Sequence, residues 1–92
     1  MLKITEGNRY LKDLKLLKKR NYNLDKLHRI VIALSVGNEL PTNARPHKLK
    51  GEYDGLWECH IEADWLLIYA YDENSLFLQR TGSHTDLFKK YS

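Results

Sequence analysis

The spacing of apolar residues changes once along this chain, and that change constrains the fold more than any other feature. Between residues 8 and 36 apolar side chains recur every three or four positions, as they do on one face of a helix. From residue 56 to residue 62 they alternate with polar ones, which is typical of a strand with one buried face. The segment 37–46 between the two patterns contains two prolines, one glycine and two asparagines, and is predicted to be a loop.

Two helices and a short strand are predicted for the first half of the chain. Residues 1–5 are expected to form the strand. The helices are joined by a short link at residues 21–23 and should form an antiparallel hairpin. The apolar stripe of the first helix includes Leu14 and Leu17, and that of the second includes Leu27 and Val31. The residues expected to begin and end the helices are Thr5 or Asn8, Arg20, Asn23 or Asp25, and Gly37.

The second half of the chain is predicted to form at least three strands and a short helix. Strands are expected at residues 57–62, 65–71 and 76–81, with a hairpin turn at 72–75. The strand at 65–71 is apolar and should be central in the sheet. Ser83 and Asp86 resemble the capping pair of a final helical turn. The residues expected on the polar face of the first of these strands are Glu58, His60 and Glu62.

This order of elements predicts an α+β fold in a single domain that spans residues 1–92. An N-terminal strand and an antiparallel helical hairpin should pack on one face of a small antiparallel β-sheet, with a short C-terminal helix after it. Too little sequence remains to cover the other face of the sheet. We expect that face to be open, and polar side chains on it become candidate functional residues.

Positive charge is concentrated in the first half of the chain. Residues 1–50 hold twelve Lys/Arg and four Asp/Glu, whereas residues 51–92 hold three and eight. The two balances, +8 and −5, sum to the net charge of +3. A basic surface suits phosphate backbones or an acidic partner protein, although a lysine-rich helix is more often only a solvated face. The candidate phosphate-binding lysines are Lys12, Lys15, Lys18, Lys19, Lys48 and Lys50.

We expect this chain to work in the cytoplasm, without contact with a membrane. No apolar run approaches the ~20 residues that a membrane-spanning helix needs, and residues 1–10 lack the apolar core of a signal peptide. Cys59 is the only cysteine, which excludes an internal disulfide and fits a reducing compartment. A small buried hydrophobe is a better interpretation of Cys59 than a nucleophile.

Between positions 47 and 84, six residues have the side chains that metal-free RNA cleavage requires. Histidine exchanges protons near neutral pH, carboxylates orient imidazoles, and a guanidinium stabilises negative charge on phosphorus. RNA supplies its own nucleophile, the 2′-hydroxyl, so a base, an acid and a cation suffice. The chain lacks an HExxH motif and paired cysteines, so metal binding is the weaker alternative. The six residues are His47, Glu58, His60, Asp64, Arg80 and His84, all within 38 positions.

Each of these residues also has an ordinary structural explanation. A strand or loop position accounts for a histidine, a turn cap for Asp64 and a surface salt bridge for Arg80. Topology favours a shared site, because consecutive antiparallel strands bring these positions towards one end of the sheet. Arg80, however, is in register with Leu76 and Leu78, which should face the core. It can reach the open face only if a bulge or twist lies near Gly82.

Three segments carry a resemblance to a known family. They are HKLKG (47–51), ECHIEADWLLIY (58–69) and RTGSHTDLF (80–88). These segments resemble the YafQ-type toxins of the RelE superfamily, from bacterial type II toxin–antitoxin modules, and a weaker similarity extends over the helical hairpin. The resemblance implies a RelE/ParE-like fold. It also implies a ribosome-dependent mRNA endonuclease that inhibits translation by cutting the codon in the A site.

The resemblance further implies residue roles and partners. Glu58 stands where an aspartate is usual, and residues 89–92 extend past the point where close relatives end. The implied partners are a cognate antitoxin that covers the basic site, mRNA and ribosomal RNA, with operator DNA bound only by the toxin–antitoxin complex. No cofactor is implied. The matching residues are His47, His60, Asp64 and His84 for catalysis, Arg80 for phosphate binding, and Phe88 as the near-terminal aromatic.

These residues suggest a mechanism, and two rival functions remain, the first of them raised by the resemblance to the RelE superfamily. In the mechanism, His60 or His47 removes the 2′-hydroxyl proton, His84 protonates the departing 5′-oxygen, and Arg80 neutralises the phosphorane. The two carboxylates orient the imidazoles. The rivals are a non-enzymatic ParE-like toxin that inhibits gyrase and a plain nucleic-acid-binding module. Cleavage of mRNA would distinguish the enzyme from both.

Overall fold

The fold is built on one sheet of five strands, seen in a computed structural model that describes residues 1–88 except the side chain of Glu52. The predicted extension after Phe88 lies outside these residues. The strands are β1 Lys3–Glu6, β2 His47–Lys48, β3 Trp57–Glu62, β4 Trp65–Tyr71 and β5 Ser75–Gly82. Their order across the sheet is β1-β5-β4-β3-β2, so β4 is central, as its apolar composition predicted. All neighbouring pairs are antiparallel except β1 and β5, which run parallel.

Two long helices pack on one face of this sheet, and a short one follows β5. The helices are α1 Asn8–Lys19, α2 Leu24–Val36 and α3 His84–Phe88. The remaining regular elements are 3₁₀ turns at Thr42–Ala44 and Gly51–Tyr53. No helix among residues 1–88 has the length and hydropathy needed to cross a membrane.

The predicted ends of α2 are confirmed, but the predicted start of α1 is wrong. The side chain of Asn23 accepts a hydrogen bond from the Asp25 backbone N–H at 3.2 Å, and Gly37 ends α2 with φ of 77°. Neither Thr5 nor Asn8 caps α1, because the capping position falls on Gly7, where no side chain is available. The Gly7 N–H instead donates to Leu78 O at 3.0 Å, so pairing with β5 determines where α1 begins.

Both faces of the sheet are packed, to different extents. The core under the helices includes Tyr10, Leu27 and Cys59. Burial raises the pKa of the Cys59 thiol to about 12, with Glu58 adding to the shift, so Cys59 is an unreactive core residue. The opposite face, predicted to be open, is partly covered by a second apolar cluster. Its members are Leu66, Ile68 and Leu87, with Leu49, Tyr53, Leu56 and Phe88 packed against them.

A β-bulge in β5 turns Arg80 away from the helices. Leu78 pairs with Tyr69 and Arg80 pairs with Ile68, which leaves Gln79 as the extra residue. Leu78 therefore points into the core under the helices. Arg80 points to the opposite face of the sheet, where Ile68 and the second apolar cluster lie. The bulge that the sequence required near Gly82 is confirmed, and it lies at Gln79.

A second bulge, in β3, moves Glu62 out of the expected polar face. His60 pairs with Leu66 and Glu62 pairs with Trp65, so Ile61 is the extra residue. The Glu62 carboxylate reaches Lys26 of α2, with 2.6 Å between Oε2 and Nζ. The prediction that Glu62 shares a face with Glu58 and His60 is therefore wrong, because alternation ends at the bulge.

Candidate active site

The register of the sheet aligns polar side chains across the face opposite α1 and α2. Neighbouring strands lie about 4.8 Å apart, so Glu58 on β3 and Arg80 on β5 flank Ile68 with about 10 Å between their backbones. His60 lies two positions farther along β3, towards the turn that carries His84. The aligned row is His47, Glu58, Ile68 and Arg80.

His84 and Asp64 are joined by two hydrogen bonds. The imidazole Nδ1 of His84 lies 2.6 Å from Asp64 Oδ1, and the His84 backbone N–H donates to the same oxygen at 3.0 Å. The backbone hydrogen bond, followed by that from the imidazole, holds the pKa of the Asp64 carboxyl below its usual value. With Nδ1–H directed to a carboxylate, Nε2 is the His84 nitrogen that can exchange a proton with a substrate.

The turn that carries His84 is held by Asp86. The Asp86 backbone N–H donates to Ser83 Oγ at 3.1 Å and the Ser83 N–H donates to Asp86 Oδ2 at 3.0 Å, which confirms the predicted capping pair. Arg20, after the end of α1, adds an ion pair at 2.8 Å to the same carboxylate. A Cβ at Gly82 would lie 2.9 Å from Asp86 Oδ2, so this compact turn requires glycine.

His60 faces His84 across a short gap. Their ring centroids are 6.0 Å apart, with an angle of 48° between the planes. Among the described residues, His60 Nδ1 is the buried side-chain nitrogen or oxygen without a hydrogen-bond partner. Buried polar atoms are normally paired, so an unpaired one needs an explanation, and a catalytic role is one of them. His60 therefore stays in this position without the stabilisation that a satisfied core histidine receives.

His47 is held through both of its ring nitrogens. Nδ1 lies 2.9 Å from the carbonyl oxygen of Arg45, and Nε2 lies 3.2 Å from Glu58 Oε1. Arg45 adopts a left-handed conformation with φ of 47°, which is strained for a residue with a Cβ. Both contacts of the ring are to oxygen atoms within the protein. The Glu58 side chain, on β3, is only 8% exposed.

Arg80 reaches the site with its guanidinium already paired. Its Nε and Nη2 donate to the two carboxylate oxygens of Asp13, at 2.8 and 3.1 Å. The Asp13 hydrogen bond raises the pKa of Arg80, and Tyr53 contributes in the same direction because its hydroxyl is also close. The simple surface salt bridge considered from the sequence does not describe this pair, because the two side chains are only 11% and 13% exposed.

Phe88 closes the site on the side of α3. Its ring packs edge-on against Tyr53 with centroids 5.5 Å apart, and lies 6.4 Å from the ring of His84. The Tyr53 hydroxyl donates to the Leu87 carbonyl at 3.1 Å. Phe88 is thus positioned by packing and remains partly exposed.

The candidate lysines divide between two surfaces. Four of them are exposed on α1, which packs on the face of the sheet opposite the imidazoles. They are Lys12, Lys15, Lys18 and Lys19. The C-terminal end of α1 nevertheless lies beside the His84 turn, because Arg20 binds Asp86 there. Lys48 covers the ring of Trp57, with Nζ 5.8 Å from its centroid, and so points towards the helix side rather than towards His47. Lys50 is exposed in the connection that follows β2.

Sequence reasoning missed three contributors to the site, namely Asp13, Arg20 and Tyr53. Asp13 has a signal in the sequence, because it is the only acidic residue in the basic helix α1. Its partner could not be identified, because 67 positions separate Asp13 from Arg80. Arg20 and Tyr53 had no comparable signal, since an arginine at a helix end and a tyrosine in a connection are both common.

Solved structures with the same fold define the class of protein. A metal-bound toxin from Helicobacter pylori is 40% identical, with a TM-score of 0.89 over 96% of this chain and 100% of that one. The toxin of the Escherichia coli DinJ–YafQ toxin–antitoxin complex is 35% identical, with a TM-score of 0.86 over 95% of this chain and 97% of that one. The fold is thus that of small bacterial toxins.

Sequence comparison identifies the family within this class. The family model described as the bacterial toxin of type II toxin–antitoxin systems, YafQ, matches residues 2–89. The mRNA interferase toxin YafQ of Escherichia coli K12 is 38% identical over 87 residues, which cover 92% of this chain and 94% of that protein. The chain belongs to the YafQ family of type II toxins, as the three sequence segments indicated.

The metal in the Helicobacter relative raises the question of a metal site here. Within residues 1–88 no group of three or more His, Cys, Asp or Glu side chains is arranged to hold a metal ion. Two of the ring nitrogens, His84 Nδ1 and His47 Nε2, contact carboxylates.

Proposed function

We propose that this chain is an endoribonuclease toxin that cuts mRNA by metal-independent acid–base catalysis. The observation that carries the proposal is the His84–Asp64 pair, which faces His60 at 6.0 Å on a surface bordered by Arg80. A general acid, a general base and a cation on one partly open face are what transesterification of RNA needs. The relatives named mRNA interferases have the same fold and family.

The proposed reaction begins at the 2′-hydroxyl. His60 accepts the proton of the 2′-hydroxyl as its oxygen attacks phosphorus, and the bond from phosphorus to the 5′-oxygen breaks. His84 donates a proton from Nε2 to that oxygen, which leaves as a 5′-hydroxyl. The other product carries a 2′,3′-cyclic phosphate, which water can open to a 3′-phosphate. Arg80 stabilises the negative charge of the pentavalent phosphorane.

His60 is the better candidate base of the two histidines that the sequence left open. Both nitrogens of His47 already contact acceptors, at Arg45 O and Glu58 Oε1, whereas the ring of His60 faces His84. His47 is then held at the border of the site by Glu58. Asp64 orients His84 in the same way, and Phe88 provides a ring on which a base could stack.

We propose that the ribosome presents the mRNA to the site. The exposed lysines of α1 would bind ribosomal RNA. The double variant Lys15→Glu, Lys19→Glu tests this surface. Its affinity for ribosomes should fall less steeply with salt, so that the slope of log affinity against log salt concentration is smaller in magnitude by about 1 per lysine. Affinity at varied salt measures this. The matched control is Lys3→Glu with Arg29→Glu, which changes net charge equally at exposed positions outside α1. Equal effects of the two pairs would mean that net charge, and not a surface on α1, guides binding.

The partner proposed from the family is a cognate antitoxin. The Escherichia coli relative was solved as a complex of toxin and antitoxin. An antitoxin with an acidic or extended segment would cover the basic residues and the site, and the complex rather than the toxin alone would bind operator DNA. We place the activity in the bacterial cytoplasm, where message and ribosomes are found.

Induction of the chain in cells without antitoxin tests the function. Cellular mRNA is expected to be cut within reading frames, and a catalytically dead variant should leave it intact. The gyrase alternative predicts broken DNA with intact message, and the plain binding module predicts neither. Either of those results would overturn the proposal.

A further inference from the structure

The pairing of Arg80 with Asp13 crosses the edge of the sheet. Asp13 lies on α1, and its Oδ2 accepts hydrogen bonds from Arg80 Nε at 2.8 Å and from the Thr81 backbone N–H at 3.0 Å. The last residue of β5 that pairs with β1 is Leu78. On the β1 side, β5 therefore has no neighbouring strand among the described residues beyond Leu78. There the Asp13 carboxylate accepts the Thr81 N–H in place of a strand carbonyl.

Asp13 binds only one edge of the Arg80 guanidinium. A guanidinium has five N–H groups in one plane. Asp13 occupies the edge formed by Nε and Nη2, because these two nitrogens donate to its two oxygens. The edge formed by Nη1 and the second N–H of Nη2 has the spacing that two phosphate oxygens require.

We propose that Asp13 is a positioning residue of the RNA-cleaving site. It holds Arg80 so that the other edge of the guanidinium faces the scissile phosphate, and it prevents the long side chain from adopting other rotamers. This inference rests on the proposed function, since it assigns Asp13 a role through Arg80. The pair is held in a fixed geometry, because both side chains are largely buried and the same carboxylate accepts from the Thr81 N–H directly beside Arg80.

A double-mutant cycle between Asp13 and Arg80 tests the inference with ribosome-bound message as substrate. Arg80→Ala should lower kcat by about 10²–10³-fold, as removal of a transition-state charge donor does. Asp13→Ala should lower kcat by about 10–100-fold with little change in KM, because misplacing a catalytic group affects the transition state more than binding. In the double variant, kcat should equal that of Arg80→Ala within about threefold, because Asp13 has nothing left to position.

Asp13→Asn separates positioning from stability. The amide keeps one acceptor for Nε and Thr81 but cannot accept from Nη2, so its kcat should lie between those of wild type and Asp13→Ala. Lys26→Ala breaks the exposed ion pair to Glu62 and serves as the control, with kcat unchanged. If the Asp13 variants melt at lower temperature but the folded protein keeps its kcat, the inference is overturned and the pair is structural. If Arg80→Ala itself cleaves normally, the role of Arg80 in the proposed function fails, and the inference fails with it.

Discussion

Replacing His84 with alanine is expected to slow mRNA cleavage by about 10²–10⁴-fold while the protein stays folded. The His84 side chain is 54% exposed and its ring contacts a side chain, Asp64, that is also exposed. The backbone N–H of residue 84 keeps its bond to Asp64 in the variant, so the turn should survive. Single-turnover cleavage of ribosome-bound message measures the rate, and thermal melting by circular dichroism measures the fold.

Asp64→Asn provides the matched control for the His84 variant. The hydrogen bonds from residue 84 hold the pKa of Asp64 below its usual value of 3.8, so the carboxylate remains ionised at neutral and mildly acidic pH. The hydrogen bonds from residue 84 to the ionised carboxylate are therefore present above pH 3.8 and are lost as pH falls through the lowered pKa. Asp64→Asn should slow cleavage less than His84→Ala, because the imidazole that exchanges the proton remains and only the carboxylate that orients it is lost. Unimpaired cleavage by His84→Ala would contradict the assignment of the acid.

Replacing His60 is expected to cause a loss of the same order, about 10²–10⁴-fold, without loss of stability. Its Nδ1 is buried and has no hydrogen-bond partner within residues 1–88. Substituting an apolar side chain of similar size, as in His60→Leu, removes an unsatisfied group and should leave the free energy of unfolding unchanged or raise it. Cleavage rates and denaturant unfolding curves of the same preparation measure the two effects.

His28→Leu is the control for His60→Leu. His28 is exposed on α2 and belongs to none of the contacts of the site, so this variant should cleave at the wild-type rate. A His60→Leu variant that is inactive and strongly destabilised would indicate a structural histidine. One that is stable and fully active would remove His60 from the mechanism and return the role of base to His47.

The parts of this fold that follow local rules could be predicted from the sequence. The period of the apolar residues located both long helices and strands β3, β4 and β5, and short-range chemistry located the caps at Asn23, Gly37 and Ser83. These features depend on residues within a few positions of one another. The need for a bulge before Arg80 could also be inferred, because the register of Leu76 and Leu78 conflicted with a functional arginine.

The remaining features depend on contacts between distant parts of the chain. The parallel pairing of β1 with β5 joins residues about 70 positions apart, and no local pattern specifies it. The bulge at Ile61 shifted Glu62 to the helix side, although the alternation of the sequence continued through it. Asp13 was missed for the same reason. A carboxylate in a helix can pair with any cation that the tertiary fold brings near.

The chemistry of the cut ends tests the central claim most directly. Purified protein, dialysed against chelator, should cleave ribosome-bound message and leave a 2′,3′-cyclic phosphate or 3′-phosphate upstream and a 5′-hydroxyl downstream, because the 2′-oxygen is the nucleophile. Ligation assays that require a 5′-phosphate or a 5′-hydroxyl distinguish the possible ends. Products with a 5′-phosphate and a 3′-hydroxyl, or cleavage that chelator abolishes and a divalent metal restores, would contradict proton transfer between His60 and His84.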